Sequence, residues 1–141
     1  MRTKRVNRYY CDFCKKSGCN AAAMKKHEKH CTMNPNRYCR MCDNLGENQN
    51  CIVDLISVLP KPEEVPNNVG FNQEVTDRKE KAIDDLRDAT NGCPICMFSA
   101  LRQAGLNPFE MGFHLDQELR ESWNQINDER WKEYQTAEPL Y

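Results

Sequence analysis

Residues 9–31 read YYCDFCKKSGCNAAAMKKHEKHC, and the cysteines and histidines of this stretch decide its fold. Cys11 and Cys14 are separated by two residues, twelve residues follow, and three residues then separate His27 from Cys31. Two cysteines on a tight hairpin and two ligands one helical turn apart can close a tetrahedron around zinc. The gap of twelve residues lets the hairpin fold back onto the helix. We therefore expect these four side chains to form a zinc site.

This block resembles the two-cysteine, two-histidine zinc finger, in the variant whose last histidine is replaced by cysteine. Tyr10 stands directly before the first ligand. Met24 lies three residues before His27, where that family places an apolar residue of its helix. The resemblance covers residues 9–31 and implies a ββα fold there, in which Asn20, Ala23 and Lys26 take the helix positions that face bases.

The block departs from the family pattern at three positions. Gly18 stands where an aromatic core residue is usual, so we expect Phe13 or Tyr9 to fill that place. Cys19 lies outside the pattern and is expected to be a small buried residue. His30 is within reach of the metal and offers a tighter competing spacing, but we expect it to be a surface hydrogen-bond donor.

A second C-x2-C pair follows at Cys39 and Cys42. It repeats the pattern at Cys11, including the preceding tyrosine, at an offset of 28 residues, which is the repeat length of tandem zinc fingers. A complete second finger would need ligands near Leu55 and Leu59, and leucine cannot bind metal. The second pair must therefore find its partners elsewhere in the chain.

Cys93 and Cys96 are the expected partners of that pair. A C-x2-C knuckle joined to a C-x2-C at a helix N-terminus resembles a treble-clef zinc site. The positive end of the helix stabilises thiolates, and Pro94 suits the first helical turn. Two alternatives stay open: Cys51 or His114 replaces one ligand, or the pair is a redox motif of the thioredoxin type. No alternating strand–helix pattern favours the redox motif.

The composition indicates that this chain needs disulfides or bound metal ions to stabilise its fold. Its 141 residues are only 39% hydrophobic, which is low for one large core. Nine cysteines are present, an odd number that suits disulfides poorly, and six of them stand in C-x2-C pairs. No secretory signal and no apolar stretch long enough to span a membrane occur in the sequence. We expect two zinc ions per chain and an intracellular reducing compartment, such as the cytoplasm.

The charge is distributed unevenly along the chain. Residues 1–42 carry eleven Lys and Arg against two acidic residues, which gives +9. Residues 43–141 carry nine basic and nineteen acidic residues, which gives −10. A block this basic attracts phosphate or an acidic protein surface.

The predicted fold class is a small zinc-stabilised α+β protein, with a ββα-like finger followed by a mainly helical second domain. The expected organisation is a basic arm at 1–8, the finger at 9–31, a linker at 32–38 and the second domain at 39–141. Residues 51–59 are either a strand or a short buried helix.

We predict three later helices. The first is capped by Thr76, with an apolar stripe of Val75, Lys79, Ala82, Ile83, Leu86 and Ala89. The second starts at Cys93, and the third covers 114–135, with an apolar face of Leu115, Leu119, Trp123, Ile126 and Tyr134 and with Trp131 just off it.

Two functional classes compete. We favour a non-enzymatic structural or adaptor protein that docks into a larger assembly, for example a virus particle, because tryptophan-bearing helices without a large core often dock on partners. The alternative is nucleic-acid binding through residues 1–42, whether DNA or RNA, at the phosphate backbone and with little sequence specificity. Asp116 and Glu118, which follow His114 closely in the sequence, form no recognisable catalytic constellation with it. We therefore expect no enzyme, no small-molecule substrate and no membrane partner.

Overall fold

A computed structural model describes residues 1–66 and 72–136, apart from the side chain of Tyr134. The described chain is mostly helical and contains one two-stranded sheet. Strand β1 (Tyr9–Tyr10) pairs antiparallel with β2 (Ser17–Gly18), and helix α1 (Ala21–His30) follows directly. This is the hairpin-and-helix arrangement that the spacing of residues 9–31 predicts.

Helix α1 has a clear local cause. The Asn20 side chain accepts a hydrogen bond from the Ala23 amide at 3.1 Å and so caps the N-terminus. Three alanines fill the first turn, and basic residues in the last turn complement the helix dipole. Met24 is the buried residue of the helix and packs with Tyr9. Phe13 is 38% exposed, so of the two aromatic candidates it is Tyr9 that packs against this small core.

Five further helices and a short 3-10 helix make up the rest of the described chain. Residues 51–59, predicted as either strand or helix, contain a helix. The elements are α2 (Arg40–Asn44), α3 (Ile52–Ser57), a 3-10 helix (Pro62–Glu64), α4 (Gln73–Ala89), α5 (Pro94–Gln103) and α6 (Leu115–Thr136).

The predicted start of α4 is wrong. Asn72 caps the helix instead of Thr76, because its side chain accepts from the amides of Glu74 at 3.0 Å and Val75 at 3.5 Å. Thr76 lies inside the first turns and turns its hydroxyl back to the Asn72 carbonyl. At the other end, Ala89 was expected on the apolar stripe but is exposed. Between α3 and α4 the chain contains the 3-10 helix, and residues 67–71 lie outside the described part.

The main core is built around α5, which packs against α3, α4 and α6. Its buried face carries Met97, Ala100 and Leu101, and Leu86 of α4 and Phe113 lie against them with almost no exposure. The N-terminus of this helix is therefore held rigidly at the centre of the larger part of the protein.

The segment predicted as a linker at 32–38 is attached to α5 by side-chain hydrogen bonds. Arg102 donates to the Thr32 hydroxyl at 2.8 Å. Gln103 donates to the backbone carbonyls of Thr32 at 2.8 Å and Asn34 at 3.1 Å. The Asn34 side chain in turn donates to the Glu28 carbonyl in α1 at 2.8 Å. The small finger is thus anchored to the helical core.

Helix α6 leaves the core before it ends. Ile126 is its last buried residue among those described, and the helix continues to Thr136 with exposed side chains. Trp123 is 39% exposed and Trp131 is 60% exposed, so only part of the predicted apolar face is covered. None of the described helices is long and apolar enough to cross a membrane.

Candidate metal centres

The first centre brings together Cys11, Cys14, His27 and Cys31, whose ligand atoms all lie within 4.8 Å of one another. Cys11 follows β1 directly, and its amide donates to the Lys16 carbonyl at 2.9 Å, which closes the hairpin. His27 and Cys31 come from the last turn and the C-cap of α1. The Nε2 atom of His27 lies 3.2 Å from the Sγ atom of Cys14.

Backbone amides point at the sulfurs of this hairpin. The Phe13 amide donates to the Cys11 sulfur, and the Lys16 amide donates to the Cys14 sulfur, both at 3.4 Å. Such bonds favour the thiolate form, which is the form that binds a metal. The loop is therefore shaped for two negatively charged sulfurs.

The thiols of the first centre differ in acidity. Burial alone would raise the pKa of Cys14, but hydrogen bonds from the Lys16 amide, His27 and Cys11 outweigh it and lower the pKa to about 7. Burial raises the pKa of Cys31. The Cys14 thiol therefore loses its proton more readily than the Cys31 thiol, and a bound cation would favour the thiolate form of both.

Cys19 and His30, the two other candidate ligands of this block, are not part of the first centre. Cys19 is outside the cluster, but it is exposed, so the expectation that it is buried is wrong. The Nδ1 atom of His30 lies 2.8 Å from the Tyr38 carbonyl, which can only accept, so Nδ1 carries the hydrogen. The Nε2 atom then accepts from the Arg40 guanidinium at 3.2 Å. Both ring nitrogens of His30 are therefore engaged.

The second centre brings together Cys39, Cys42, Cys93 and Cys96. The sulfur of Cys39 lies 3.5 Å from that of Cys93, and the sulfur of Cys42 lies 3.4 Å from that of Cys96. A disulfide bond is only about 2.05 Å long, whereas a tetrahedral zinc ion with bonds of about 2.3 Å holds its sulfurs roughly 3.8 Å apart. The spacing is therefore close to that of a four-thiolate metal site.

Two helix N-termini converge on this centre. Cys39 is the N-cap of α2, and its sulfur accepts from the Cys42 amide at 3.4 Å. Cys93 is the N-cap of α5, with Pro94 in the first turn. All four cysteines are buried, and Cys42 and Cys93 have no exposed surface. The repeat of the Cys11 pattern at Cys39 is therefore one of spacing, because the first pair lies on a hairpin and the second at a helix start.

Two amide side chains that no sequence pattern indicates support this centre. Gln49 accepts from the Cys39 amide and donates to the Cys39 carbonyl, both at 2.7 Å. Asn50 donates to the Cys42 sulfur at 3.6 Å and to the Thr90 carbonyl at 3.5 Å. Together they tie the knuckle at Cys39 to the turn before α5. Polar residues in a loop carry no spacing pattern, so only the run of amides after Gly46 could have drawn attention to them.

The pKa of each thiol in the second centre depends on its hydrogen bonds to the other thiols. Hydrogen bonds from Cys42 and Cys93 hold the pKa of Cys39 well below its usual range. The hydrogen bond that Cys93 makes to Cys39 raises the pKa of Cys93. Four buried thiolates repel one another, so a bound cation is what would allow all four to lose their protons.

The remaining candidates lie away from the second centre. Cys51 is exposed and forms the N-cap of α3, outside the cluster. His114 is exposed and packs edge-on against Phe109, with ring centroids 5.4 Å apart. Neither replaces a cysteine in the group of four.

The fold and these centres define a small, mainly helical protein with two groups of Cys and His side chains that can each hold a metal ion. Their donor sets, three thiolates with one imidazole and four thiolates, are those of closed structural sites. No known protein family, no curated protein and no solved structure matches this chain.

Proposed function

We propose that this chain is a non-enzymatic protein that holds two structural zinc ions and docks into a larger protein assembly. One observation carries the metal part of the proposal. Each of the two groups supplies four soft or borderline ligand atoms within 4.8 Å of one another, which is a complete tetrahedral set.

Zinc suits both sets better than the other common cations. Calcium and magnesium prefer oxygen ligands, and neither group contains a carboxylate. Four protein ligands leave no open position for water or substrate, whereas catalytic zinc keeps one. This supports a structural metal and a protein without metal-dependent catalysis.

The metal would supply folding energy that a small core lacks. The second centre joins α2 to the start of α5, and the first joins the hairpin to α1. Only Met24 and two of the cysteines are buried in the finger core, so packing alone gives that part little stability. Structural zinc commonly makes such a unit fold.

The docking part of the proposal rests on the far end of α6. After Ile126 this helix carries only exposed residues among those described, and Trp131 is 60% exposed there. Trp123, which lies before Ile126 on the same helix and is 39% exposed, adds a second aromatic surface. Tryptophan is enriched among the residues that dominate protein interfaces. A virus particle or another macromolecular particle is the kind of assembly that such a small stapled protein would join.

The test uses the native high-mass complex isolated from the source cells. Trp123→Ala with Trp131→Ala should release the protein from the high-mass fraction in size-exclusion chromatography. Asn124→Ala with Asn127→Ala, on exposed positions of the same helix, is the matched control and should leave it bound. Retention of the tryptophan variant with unchanged helix content would reject α6 as the docking surface.

A further inference from the structure

The two metal centres differ in how far solvent reaches their sulfur atoms. In the second centre all four cysteines are buried, and none of them is more than 2% exposed. In the first centre Cys11 is 6% exposed and Cys31 is 4% exposed, whereas Cys14 is only half-buried. Cys14 therefore carries the ligand sulfur that a dissolved molecule reaches most easily.

A groove on the finger gives a small molecule room next to this sulfur. Two residues of its lining contact the Cys14 sulfur directly: Nε2 of His27 lies 3.2 Å from it, and the Lys16 amide donates to it at 3.4 Å. The groove has a volume of about 330 Å³, whereas a water molecule occupies only about 30 Å³ of liquid. A hydroperoxide therefore fits beside the Cys14 sulfur.

The surroundings of Cys14 are electropositive. Lys16, Lys26 and Arg40 line the groove, and none of the described lining residues is acidic. Lys15, the next residue in the chain, is exposed. Positive charge beside a sulfur favours its thiolate form, and it also stabilises the hydroxide that leaves when a peroxide bond breaks. A half-exposed thiolate in such surroundings is the kind of cysteine that oxidants modify selectively.

Cys11 lies close enough to Cys14 to become its disulfide partner. The two sulfurs belong to a group whose ligand atoms all lie within 4.8 Å of one another. Both cysteines stand on one hairpin loop, which the bond from the Cys11 amide to the Lys16 carbonyl closes. Two cysteines separated by two residues can form a disulfide, as they do in redox C-x2-C motifs. Cys31 lies on another element, at the C-cap of α1, so Cys11 is the expected partner.

We propose that Cys14 is a modification site for hydroperoxides, and that its oxidation to a disulfide with Cys11 opens the first centre. This inference rests on the proposed function, because it requires a zinc ion in each centre. It adds a response to oxidants that the structural role alone does not include.

The oxidation takes two steps. The Cys14 thiolate first attacks one oxygen of hydrogen peroxide, so that an S–O bond forms and the O–O bond breaks, and the departing hydroxide takes up a proton and leaves as water. The Cys11 thiolate then attacks the sulfur of the sulfenic acid, the S–S bond forms, and the displaced hydroxide is also protonated to water. The two sulfurs together lose two electrons, and these reduce the peroxide to water.

The disulfide removes half of the ligands of the first centre. His27 and Cys31 remain, and two ligands do not form the closed site that structural zinc occupies. Residues 9–31 then lose the metal that stabilises them, because their core buries only Met24 and two of the cysteines. The second centre keeps its four buried sulfurs. The finger should therefore unfold on oxidation while the helical part stays folded.

The experiment treats the full zinc-loaded chain with hydrogen peroxide, after removal of reductant, and stops the reaction with catalase. Native mass spectrometry before the addition should show two zinc ions, and a smaller number at that point would reject the proposed function. After the addition, the form with one ion should appear at least about tenfold faster than the metal-free chain. Trypsin, which cuts after Lys and Arg, releases residues 9–15 as one peptide that contains both Cys11 and Cys14. The mass of this peptide shows their disulfide directly.

A matched pair of variants tests the role of Cys14. Cys14→His and Cys31→His each replace one thiolate of the first centre by an imidazole, which also binds zinc. Native mass spectrometry first confirms that each variant holds two ions. Cys14→His should slow the loss of the first ion about tenfold, whereas Cys31→His should lose it about as fast as the unmodified sequence, because only Cys14 is half-exposed. Equal rates for the two variants would overturn the site.

Cys19→Ser tests whether the exposed thiol of the same block is needed. Cys19 lies outside the centre, so this change should leave the rate of zinc loss unchanged. A much slower loss in this variant, or a disulfide from Cys14 to Cys19 or Cys31, would contradict the proposed pairing. Simultaneous loss of both ions would overturn the proposal. Retention of both ions after the exposed Cys19 and Cys51 have been oxidised would overturn it as well.

Discussion

Cys42 and Cys96 stand 54 positions apart in the chain, yet their sulfur atoms lie 3.4 Å apart in the interior. A contact between such distant residues closes a long loop, and the chain entropy lost in that closure must be offset by a strong interaction. Sulfur–hydrogen contacts are weak. A metal ion shared by the two residues and by Cys39 and Cys93 would supply an interaction of the required strength.

The second centre should therefore be essential for the larger part of the fold. Cys96→Ser removes one of four ligands and should lower the free energy of unfolding by on the order of 4 kcal/mol or more, since loss of a structural metal is among the most damaging changes. Cys51→Ser is the matched control, because Cys51 is exposed and outside the cluster. Urea denaturation followed by circular dichroism measures both variants. Equal stability of the two would contradict the assignment of the second centre.

The first centre should stabilise only its own part of the chain. Cys11→Ser should unfold residues 9–31, because the finger core buries little besides Met24 and its cysteines. Helices α4 to α6 should stay folded around their own core. Two-dimensional NMR spectra of the backbone amides distinguish these regions. Cys19→Ser, at an exposed position of the same block, is the control and should leave the spectrum nearly unchanged. If Cys19→Ser disturbed the spectrum as much as Cys11→Ser, the assignment of the first centre would be wrong.

The two histidines at the end of α1 should behave differently. His27→Ala should remove a ligand and change the visible spectrum of the cobalt-substituted protein, because the number of nitrogen and sulfur donors changes. His30→Ala should leave the cobalt spectrum as it is, since both ring nitrogens of His30 are used by Tyr38 and Arg40. A spectral change with His30→Ala alone would place His30 in the metal site instead of His27.

The attachment of the finger to α5 should depend on Gln103. Gln103→Ala removes two hydrogen bonds to the carbonyls of Thr32 and Asn34, each worth about 1 kcal/mol. The finger should then move more independently, which NMR relaxation of residues 9–31 would detect. Gln117→Ala removes only a bond within α6 and serves as the control. Unchanged relaxation in Gln103→Ala would show that other contacts hold the finger in place.

The sequence was most informative where ligand chemistry imposes a spacing. C-x2-C pairs and a histidine one helical turn from a cysteine are restricted to a few geometries, so the groups of four could be predicted together with the hairpin and helix around the first. The long helices were visible from their apolar periodicity. The start of α4 was misplaced because Asn72 and Thr76 are both good capping residues, and only the backbone geometry shows that Asn72 accepts the amide bonds.

Contacts between distant polar residues could not be predicted. Gln49 and Asn50 support the second centre, and Gln103 holds the segment at 32–38, through bonds to backbone groups that have no sequence pattern. The exposure of Cys19 was missed for a related reason. Cysteine is usually buried, and the prediction followed that average, whereas the short β2 ends just before it and leaves it at the surface.

The central claim is that each chain holds two zinc ions in closed sites. Native mass spectrometry of the full chain, purified under reducing conditions with zinc, measures this stoichiometry directly. We expect a mass increase of two zinc ions, held by the seven thiolates and one imidazole of the two groups. A single ion, or no metal together with intramolecular disulfides, would contradict it.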